Sequence, residues 1–284
     1  MLKRLLRHPG PGGLLIAALV VLLVPAAAWA GADDRVDARV DARNNTSEGL
    51  AHFDTRPGVV MPVYRMHAPG APATLLLLSG GTGGMGRIED GRPTSKNFLV
   101  RSRDDFVQAG FDVAVLGLPS DKKDGLSASD RLGAEHLEDL RSVVRQLEAD
   151  TGLPVWLVGT SMGTVSATAA AIAYGREELA GVVLTSSLTS RQKTGAVPTQ
   201  NLAAIRIPVL VLHHAQDACT SCMPSEAAKI VRWLDNAPVR KFILVDGGEG
   251  ATGNPCGPLH HHGYIGMEPE AVRLVTDWIR HPVP

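Results

Sequence analysis

The segment that decides the fold is "PVWLVGTSMGTVSATAAAIAYG", residues 154–175. An apolar run ends there in Gly-Thr-Ser-Met-Gly, and an alanine-rich segment of helical composition follows at once. A serine between two glycines at a strand-to-helix junction forms either a plain tight turn or a turn that exposes a reactive hydroxyl. Gly159 and Gly163 lack the Cβ atoms that would clash in such a turn. The segment therefore predicts a nucleophile at Ser161.

Strands and helices alternate along the rest of the chain. Apolar runs typical of strands lie at residues 58–66, 73–81, 111–121, 154–158, 181–187, 208–213 and 241–245. Runs that are apolar throughout, rather than alternating, indicate strands covered on both faces. Helical patterns lie between them, at residues 132–147, 162–174, 225–234 and 269–280. This order predicts one α/β domain with a mainly parallel central sheet and helices on both faces.

The composition is that of a globular protein, with 44% apolar residues, 20% charged residues and only 4% aromatic residues. The core must therefore be built from leucine, valine, isoleucine and alanine. The formal net charge is −1, and no basic stripe is present beyond the first seven residues. This charge pattern argues against nucleic acid as a partner.

The N-terminal segment has the layout of a secretory signal. Three cations within the first seven residues precede an apolar run at 13–24, and a small-residue stretch ends at Ala30. We predict a signal peptide over residues 1–30, cleaved after Ala30, in a periplasmic or secreted protein. An uncleaved membrane anchor is the alternative, but the run is shorter than the roughly 20 residues that span a bilayer. No stable membrane insertion is expected after cleavage.

The segment after the signal differs in composition from the remainder of the chain. Residues 31–49, "GADDRVDARVDARNNTSEG", repeat Val-Asp-Ala-Arg and offer almost nothing to bury. Such a composition indicates disorder, and we predict a disordered linker over residues 31–54. The regular apolar runs begin after it, so one folded domain is predicted over residues 55–284.

The turn at Ser161 resembles the nucleophile elbow of the α/β-hydrolase superfamily, and the resemblance covers residues 58–280. It implies the α/β-hydrolase fold and the chain order nucleophile, acid, histidine, with the acid and histidine after the last two strands. Asp217 follows the sixth apolar run, and His262 follows the seventh. The resemblance therefore assigns Asp217 as the acid and His262 as the catalytic histidine.

Three consecutive histidines, His260, His261 and His262, compete for that role. His262 is favoured because a histidine directly before glycine and an aromatic residue resembles the usual end of the family's histidine loop. His261 ranks second and His260 third, and surface histidines without a catalytic role are the alternative. A metal site built with His213 and His214 is disfavoured, because consecutive side chains diverge and paired i, i+4 ligand spacing is missing.

The oxyanion donors are also implied by the resemblance. Family enzymes use the amide after the nucleophile, here Met162, and an amide from the loop after an earlier strand. The segment "SGGTGGMG", residues 79–86, occupies that place, so Gly81 is the predicted donor and Thr82 the alternative. Ser79 stands where many lipases have a histidine. This chemistry requires no metal or cofactor.

The resemblance implies a serine hydrolase of the esterase-like or dienelactone-hydrolase-like type that acts on a small-molecule carboxylic ester. A thioesterase or a peptidase is the next alternative. Residues 188–207 are too few for the large helical lid of many family members, so no large lid domain is expected. Two rival classes are a non-catalytic binding protein on the same fold and a thiol redox protein, the latter because of Cys219-Thr-Ser-Cys222.

The chain has three cysteines, and an exported protein meets an oxidising compartment that favours a disulfide. In the family that the elbow resembles, the acid and histidine loops lie side by side at one end of the sheet. This placement implies a Cys219–Cys256 disulfide, with Cys222 free. Three reduced cysteines are the first alternative, and a Cys219–Cys222 link is the second.

Overall fold

A computed structural model describes residues 39–41 and 46–284. The predicted signal peptide, residues 1–30, lies outside the described residues. Within them, the strands in chain order are β1 Arg39–Asp41, β2 Thr46–Arg56, β3 Val59–His67, β4 Thr74–Leu78, β5 Ile88–Glu89, β6 Arg92–Pro93, β7 Asp112–Leu116, β8 Val155–Thr160, β9 Gly181–Thr185, β10 Val209–His214 and β11 Arg240–Val245.

The α-helices of the described residues are α1 Phe98–Arg101, α2 Arg103–Gln108, α3 Ala128–Leu132, α4 Ala134–Thr151, α5 Gly163–Glu178, α6 Pro224–Ile230 and α7 Glu268–Arg280. None of them is both long enough and apolar enough to cross a membrane. The four helices predicted from the sequence correspond to α4, α5, α6 and α7. In α5, Gly175 leaves the helical conformation with φ of +56°, at the position where the sequence predicts the helix end.

Nine of the described strands form one sheet in the order β1-β2-β3-β7-β4-β8-β9-β10-β11. Every neighbouring pair from β7 to β11 in this order is parallel. The β1–β2, β2–β3 and β3–β7 pairs are antiparallel and form one edge of the sheet. The predicted mainly parallel sheet is confirmed.

The inner strands are covered on both faces. Every residue of β4, β7, β8, β9 and β10 is buried, as their continuous apolar runs predict. Along β4, Leu76 and Leu78 belong to the core that contains residues of α4, α5 and α6. Leu75 and Leu77 belong to the core that contains residues of α1, α2 and α7. Successive side chains of the strand therefore serve two helical layers.

Strand β2 corrects the predicted linker boundary. Residues 47–54, assigned to the disordered linker over 31–54, pair along β3 as an antiparallel strand. Ala51 and Phe53 are 5% and 4% exposed, whereas the alternating residues His52 and Asp54 are exposed. One face of β2 is thus part of the core, and its alternating pattern is a weaker signal than a continuous apolar run. The folded domain begins no later than residue 46 rather than at 55, and β1 also pairs with β2.

The segment between β9 and β10 forms no helical lid. Residues 186–208 contain two single-turn 3₁₀ helices, Val197–Thr199 and Leu202–Ala204, and no α-helix. The segment therefore adds no helical lid at the carboxyl ends of the parallel strands, where α/β proteins bind their ligands.

Candidate active site

Ser161 lies in the sharp turn between β8 and α5. Its φ angle is +52°, a left-handed conformation that costs a non-glycine residue roughly 1–3 kcal/mol. A Cβ atom on Gly159 would lie 2.7 Å from the carbonyl oxygen of Gly163, and one on Gly163 would lie 2.0 Å from the carbonyl oxygen of Leu78. The two glycines therefore allow the close approach that the turn requires, as the sequence indicated.

Asp217 follows β10 after a short turn, and its carboxylate lies next to two histidines. Its Oδ2 accepts a hydrogen bond from His262 Nδ1 at 2.8 Å, and its Oδ1 accepts one from the amide of Cys219 at 2.9 Å. His213 Nε2, which bonds the carbonyl oxygen of Cys222 at 2.9 Å, lies 3.2 Å from Asp217 Oδ2. Burial opposes ionisation of Asp217, but the close contacts with His213 and His262 outweigh it and hold the pKa at about 2. Asp217 is therefore a carboxylate at neutral pH.

Hydrogen bonds between side chains and backbone atoms hold the histidine loop so that His262 lies opposite Asp217. Ser186, directly after β9, donates its hydroxyl to the carbonyl oxygen of His262 at 2.8 Å. The amide of Ser186 donates to the hydroxyl oxygen of Tyr264, which donates in turn to the carbonyl oxygen of Leu212 in β10. The histidine loop is thus anchored at the ends of two neighbouring strands.

Of the three consecutive histidines, the structure brings His262 to Asp217. The ring of His261 stacks on that of His214 instead, with ring centroids 4.6 Å apart. His260 packs edge-on against His261. The histidine that pairs with Asp217 is therefore His262, the candidate favoured because it stands directly before a glycine and an aromatic residue.

The hydroxyl of Ser161 has an unexpected neighbour. Its Oγ lies 4.0 Å from Sγ of Cys222, and within the described residues it makes no hydrogen bond to His262. Ser161 and His262 line the same cleft. Catalytic hydrogen bonds are commonly long before substrate binds and shorten in the Michaelis complex.

The cleft above Ser161 is small and open, with a volume of about 280 Å³. It is lined by glycines of the loop after β4, by the start of α1 and by the histidine loop, including Gly80, Gly81, Thr82, Lys96, Asn97, Phe98 and Pro258. A larger groove of about 420 Å³ lies at the opposite, amino ends of the strands, away from Ser161, Asp217 and His262. Because ligands of parallel α/β sheets bind at the carboxyl ends, the smaller cleft is the candidate site.

The two predicted oxyanion donors flank Ser161. Gly81 lines the cleft with φ of +58°, and Met162 directly follows Ser161 at the start of α5. Within the described part of the chain, neither amide donates a hydrogen bond to another residue. Neither amide is therefore engaged by another residue of the described chain.

Arg131 of α3 lies beneath the glycine-rich loop and is only 2% exposed. Its Nη2 donates to the carbonyl oxygens of Gly81 at 3.1 Å and Ser79 at 3.3 Å, and its Nη1 donates to Ser166 Oγ at 3.0 Å. Burial lowers the pKa of Arg131 to about 10, so the guanidinium remains charged at neutral pH. A buried cation thus holds the two peptide groups on either side of Gly80.

The structure joins Cys219 to Cys256 and leaves Cys222 as a buried free thiol, the arrangement that the sequence predicted. The bond ties the segment after Asp217 to the loop that carries His262. With a sequence separation of 37 between its two cysteines, the closed loop is worth about 4 kcal/mol in the chain-entropy model.

The sequence does not predict three residues that support the site. His213 gives a partial signal, because a histidine at the end of a buried strand must find a polar partner. Ser186 and Arg131 give none, since their contacts with the histidine loop and the glycine-rich loop exist only in the folded chain.

No protein-family model matches the chain, and no curated protein matches it in sequence. Solved structures do match. A dienelactone hydrolase from Anabaena variabilis aligns with a TM-score of 0.60 at 15% identity, over 84% of this chain and 99% of that chain. An esterase from Pyrococcus furiosus aligns with a TM-score of 0.60 at 15% identity, over 82% of this chain and 92% of that chain.

A cold-adapted esterase from an Arctic intertidal metagenomic library aligns with a TM-score of 0.54 at 13% identity, over 85% of this chain and 97% of that chain. At such identities, the likeness concerns the fold. The protein has the α/β-hydrolase fold, as the resemblance at Ser161 implied.

Proposed function

We propose that the protein is a serine hydrolase that cleaves a small-molecule carboxylic ester through an acyl-enzyme intermediate. The observation that carries the proposal is the left-handed backbone of Ser161 in the cleft that also contains His262, paired with Asp217. Residues held in strained conformations cluster at active sites, where the surrounding structure enforces them. The fold likeness to a dienelactone hydrolase and to esterases supports the same class.

In the proposed reaction, Ser161 Oγ attacks the carbonyl carbon of the ester, and His262 Nε2 takes the serine proton. His262 then gives this proton to the departing alcohol, which leaves an acyl group on Ser161. A water molecule attacks the acyl group by the same route and releases the acid. Asp217 accepts the Nδ1 proton of His262 in a hydrogen bond, which fixes the ring tautomer and stabilises its charged form.

The amides of Gly81 and Met162 would donate to the oxygen that becomes negatively charged when Ser161 attacks. Each such donor contributes on the order of 10²–10³ in rate. The cleft volume of about 280 Å³ suits small esters, because pockets for drug-sized ligands begin near 300 Å³.

A fluorophosphonate probe tests the function, because it labels only an activated serine. We expect labelling at Ser161, located by peptide mapping, and none in heat-denatured protein. Failure to label the folded protein would favour a non-catalytic binding protein. A panel of esters, thioesters and aminoacyl anilides then separates an esterase from a thioesterase and a peptidase.

Asp217→Asn is expected to lower kcat by about 10⁴-fold, because an amide in place of the carboxylate favours the wrong tautomer of His262. Steady-state hydrolysis by the folded variant is the measurement. Asp246→Asn is the matched control, since Asp246 is exposed and bonds Gln216 rather than a histidine. Equal effects of the two substitutions would contradict the role of Asp217.

Arg131→Met is expected to lower kcat by about 10- to 100-fold with little change in KM. This decrease in kcat is smaller than the one caused by removing an oxyanion donor itself. The reason is that the carbonyls of Ser79 and Gly81 lose the donor that positions the loop. Arg131→Lys keeps the charge and should recover part of kcat. The measurement is kcat and KM alongside the thermal midpoint, and a folded Arg131→Met variant with unchanged kcat would refute the role.

We also propose that the protein is exported after cleavage at Ala30. The signal-like layout of residues 1–30 and the Cys219–Cys256 disulfide, a bond favoured outside the cytosol, support this proposal. N-terminal sequencing of protein from the producing cell should begin at Gly31. An intact N-terminus in the membrane fraction would indicate an anchor instead.

A further inference from the structure

Two sulfur atoms and an imidazole form a cluster beside Ser161. Sγ of Cys219, Sγ of Cys222 and a ring nitrogen of His262 lie within 4.8 Å of one another, and all three residues are buried. The ligand atoms of a tetrahedral Zn²⁺ site lie about 3.6–3.8 Å apart, given Zn–S bonds near 2.3 Å and Zn–N bonds near 2.0–2.1 Å. A contraction of about 1 Å would therefore bring the cluster to zinc geometry.

The disulfide is what prevents Cys219 from acting as a ligand. Its partner, Cys256, is exposed, so a reductant can reach the bond from solvent. A dithiol reductant gives the bond two electrons and two protons, which yields two thiols on the protein and a disulfide on the reductant. Cys219 is then released from Cys256 and can rotate toward Cys222, which is already free.

His262 is oriented as zinc-binding histidines usually are. Its Nδ1 is held by the Asp217 carboxylate at 2.8 Å, so Nε2 is the nitrogen left for a metal. Metal binding displaces one proton from each thiol, and the two thiolates balance the charge of Zn²⁺. The buried site therefore gains no net charge from the ion and its two sulfur ligands, which limits the desolvation cost.

We propose that reduction of the Cys219–Cys256 disulfide opens a Zn²⁺ site formed by Cys219, Cys222 and His262, and that zinc bound there blocks hydrolysis. The metal occupies the Nε2 lone pair that the proposed reaction uses to take the serine proton. It also lies beside Ser161, whose Oγ is 4.0 Å from Sγ of Cys222. The inhibition of hydrolysis by zinc rests on the proposed function, whereas the existence of the metal site does not.

Cys256→Ser tests the site without a reductant in the assay, because it removes the disulfide partner of Cys219. Cys219 and Cys222 then both carry thiols. The full chain carrying this substitution, reduced beforehand and desalted without oxygen, is titrated with Co²⁺ and then with Zn²⁺. We expect one Co²⁺ per chain with a thiolate-to-cobalt charge-transfer band, which excess Zn²⁺ removes. Oxidised wild-type protein should show no such band.

The matched control is the double variant Cys222→Ser/Cys256→Ser, which lacks one of the two thiolates. Its affinity for zinc should fall by more than about 100-fold, the upper range for loss of a residue that only supports a zinc ligand. Equal binding by the two variants would place the metal elsewhere, for example on His260 and His261, and would overturn the proposal. Absence of the band in folded Cys256→Ser would do the same.

Ester hydrolysis is measured in the same samples. Zinc should abolish hydrolysis by Cys256→Ser, a chelator should restore it, and oxidised wild type should be insensitive. Binding of one zinc ion per chain without any loss of hydrolysis would contradict the inhibition by zinc but would still support the metal site. If the oxidised wild type hydrolyses no ester, the proposed function has failed, and the cobalt titration still decides the site. Should Cys256→Ser fail to fold, wild type reduced with a dithiol and desalted provides the same titration.

Discussion

Replacement of Ser161 with alanine is expected to lower kcat by about 10⁶-fold, the scale seen when a triad nucleophile is removed. The reason is that alanine has no hydroxyl to attack the carbonyl carbon of the ester. Hydrolysis is measured with the ester found most active, and folding is checked by circular dichroism. Alanine keeps the left-handed backbone at φ of +52°, so the free energy of unfolding should change little.

Two further substitutions sharpen this result. Ser190→Ala removes a partly buried serine outside the cleft and should leave kcat unchanged. Ser161→Gly should be as inactive as the alanine variant but at least as stable as the wild type, because glycine adopts the left-handed conformation without strain. Substantial hydrolysis by either folded Ser161 variant would exclude Ser161 as the nucleophile.

His262→Ala is expected to match Ser161→Ala, again with a loss of about 10⁶-fold in kcat, since nucleophile and base act as one unit. The histidine accepts the serine proton, and Asp217 lies 2.8 Å from its other nitrogen. The double variant Ser161→Ala/His262→Ala should be no slower than either single variant. Additive losses would show that the two side chains act independently.

His260→Ala is the matched control for that substitution, because it removes an imidazole from the same loop. It should change kcat little, since the ring of His260 packs against His261 and not against Asp217. His261→Ala should have an intermediate effect through loss of the stack on His214. A larger loss for His260→Ala than for His262→Ala would reverse the assignment.

The parallel sheet and the elbow are readable from the sequence because their signals are local. The buried run before Ser161 is continuous, and its glycines stand where the backbone approaches other atoms. The edge strand β2 is not readable in this way, since only Ala51 and Phe53 alternate with exposed residues. Its position is decided by pairing with β3, which a linear pattern does not reveal.

The candidate acid and histidine follow from the order of strands in the resembled family, but their supports do not. Arg131 reaches carbonyl oxygens about fifty residues away in the chain, and Ser186 reaches that of His262 across 76 residues. Neither contact produces a hydrophobic period or a motif that could be recognised in the sequence. The same holds for Cys222, whose proximity to Ser161 depends on two separate loops.

The disulfide also means that the integrity of the site does not depend on an unbroken backbone. Residues 246–255 are largely exposed and glycine-rich, which is the kind of loop that proteases cut. Cys219 precedes this loop and Cys256 follows it, so a cut there leaves both fragments covalently joined. The fragment with His262 also keeps α7 packed in the core. Such a nicked molecule would run as one species on a denaturing gel until a reductant separated the fragments.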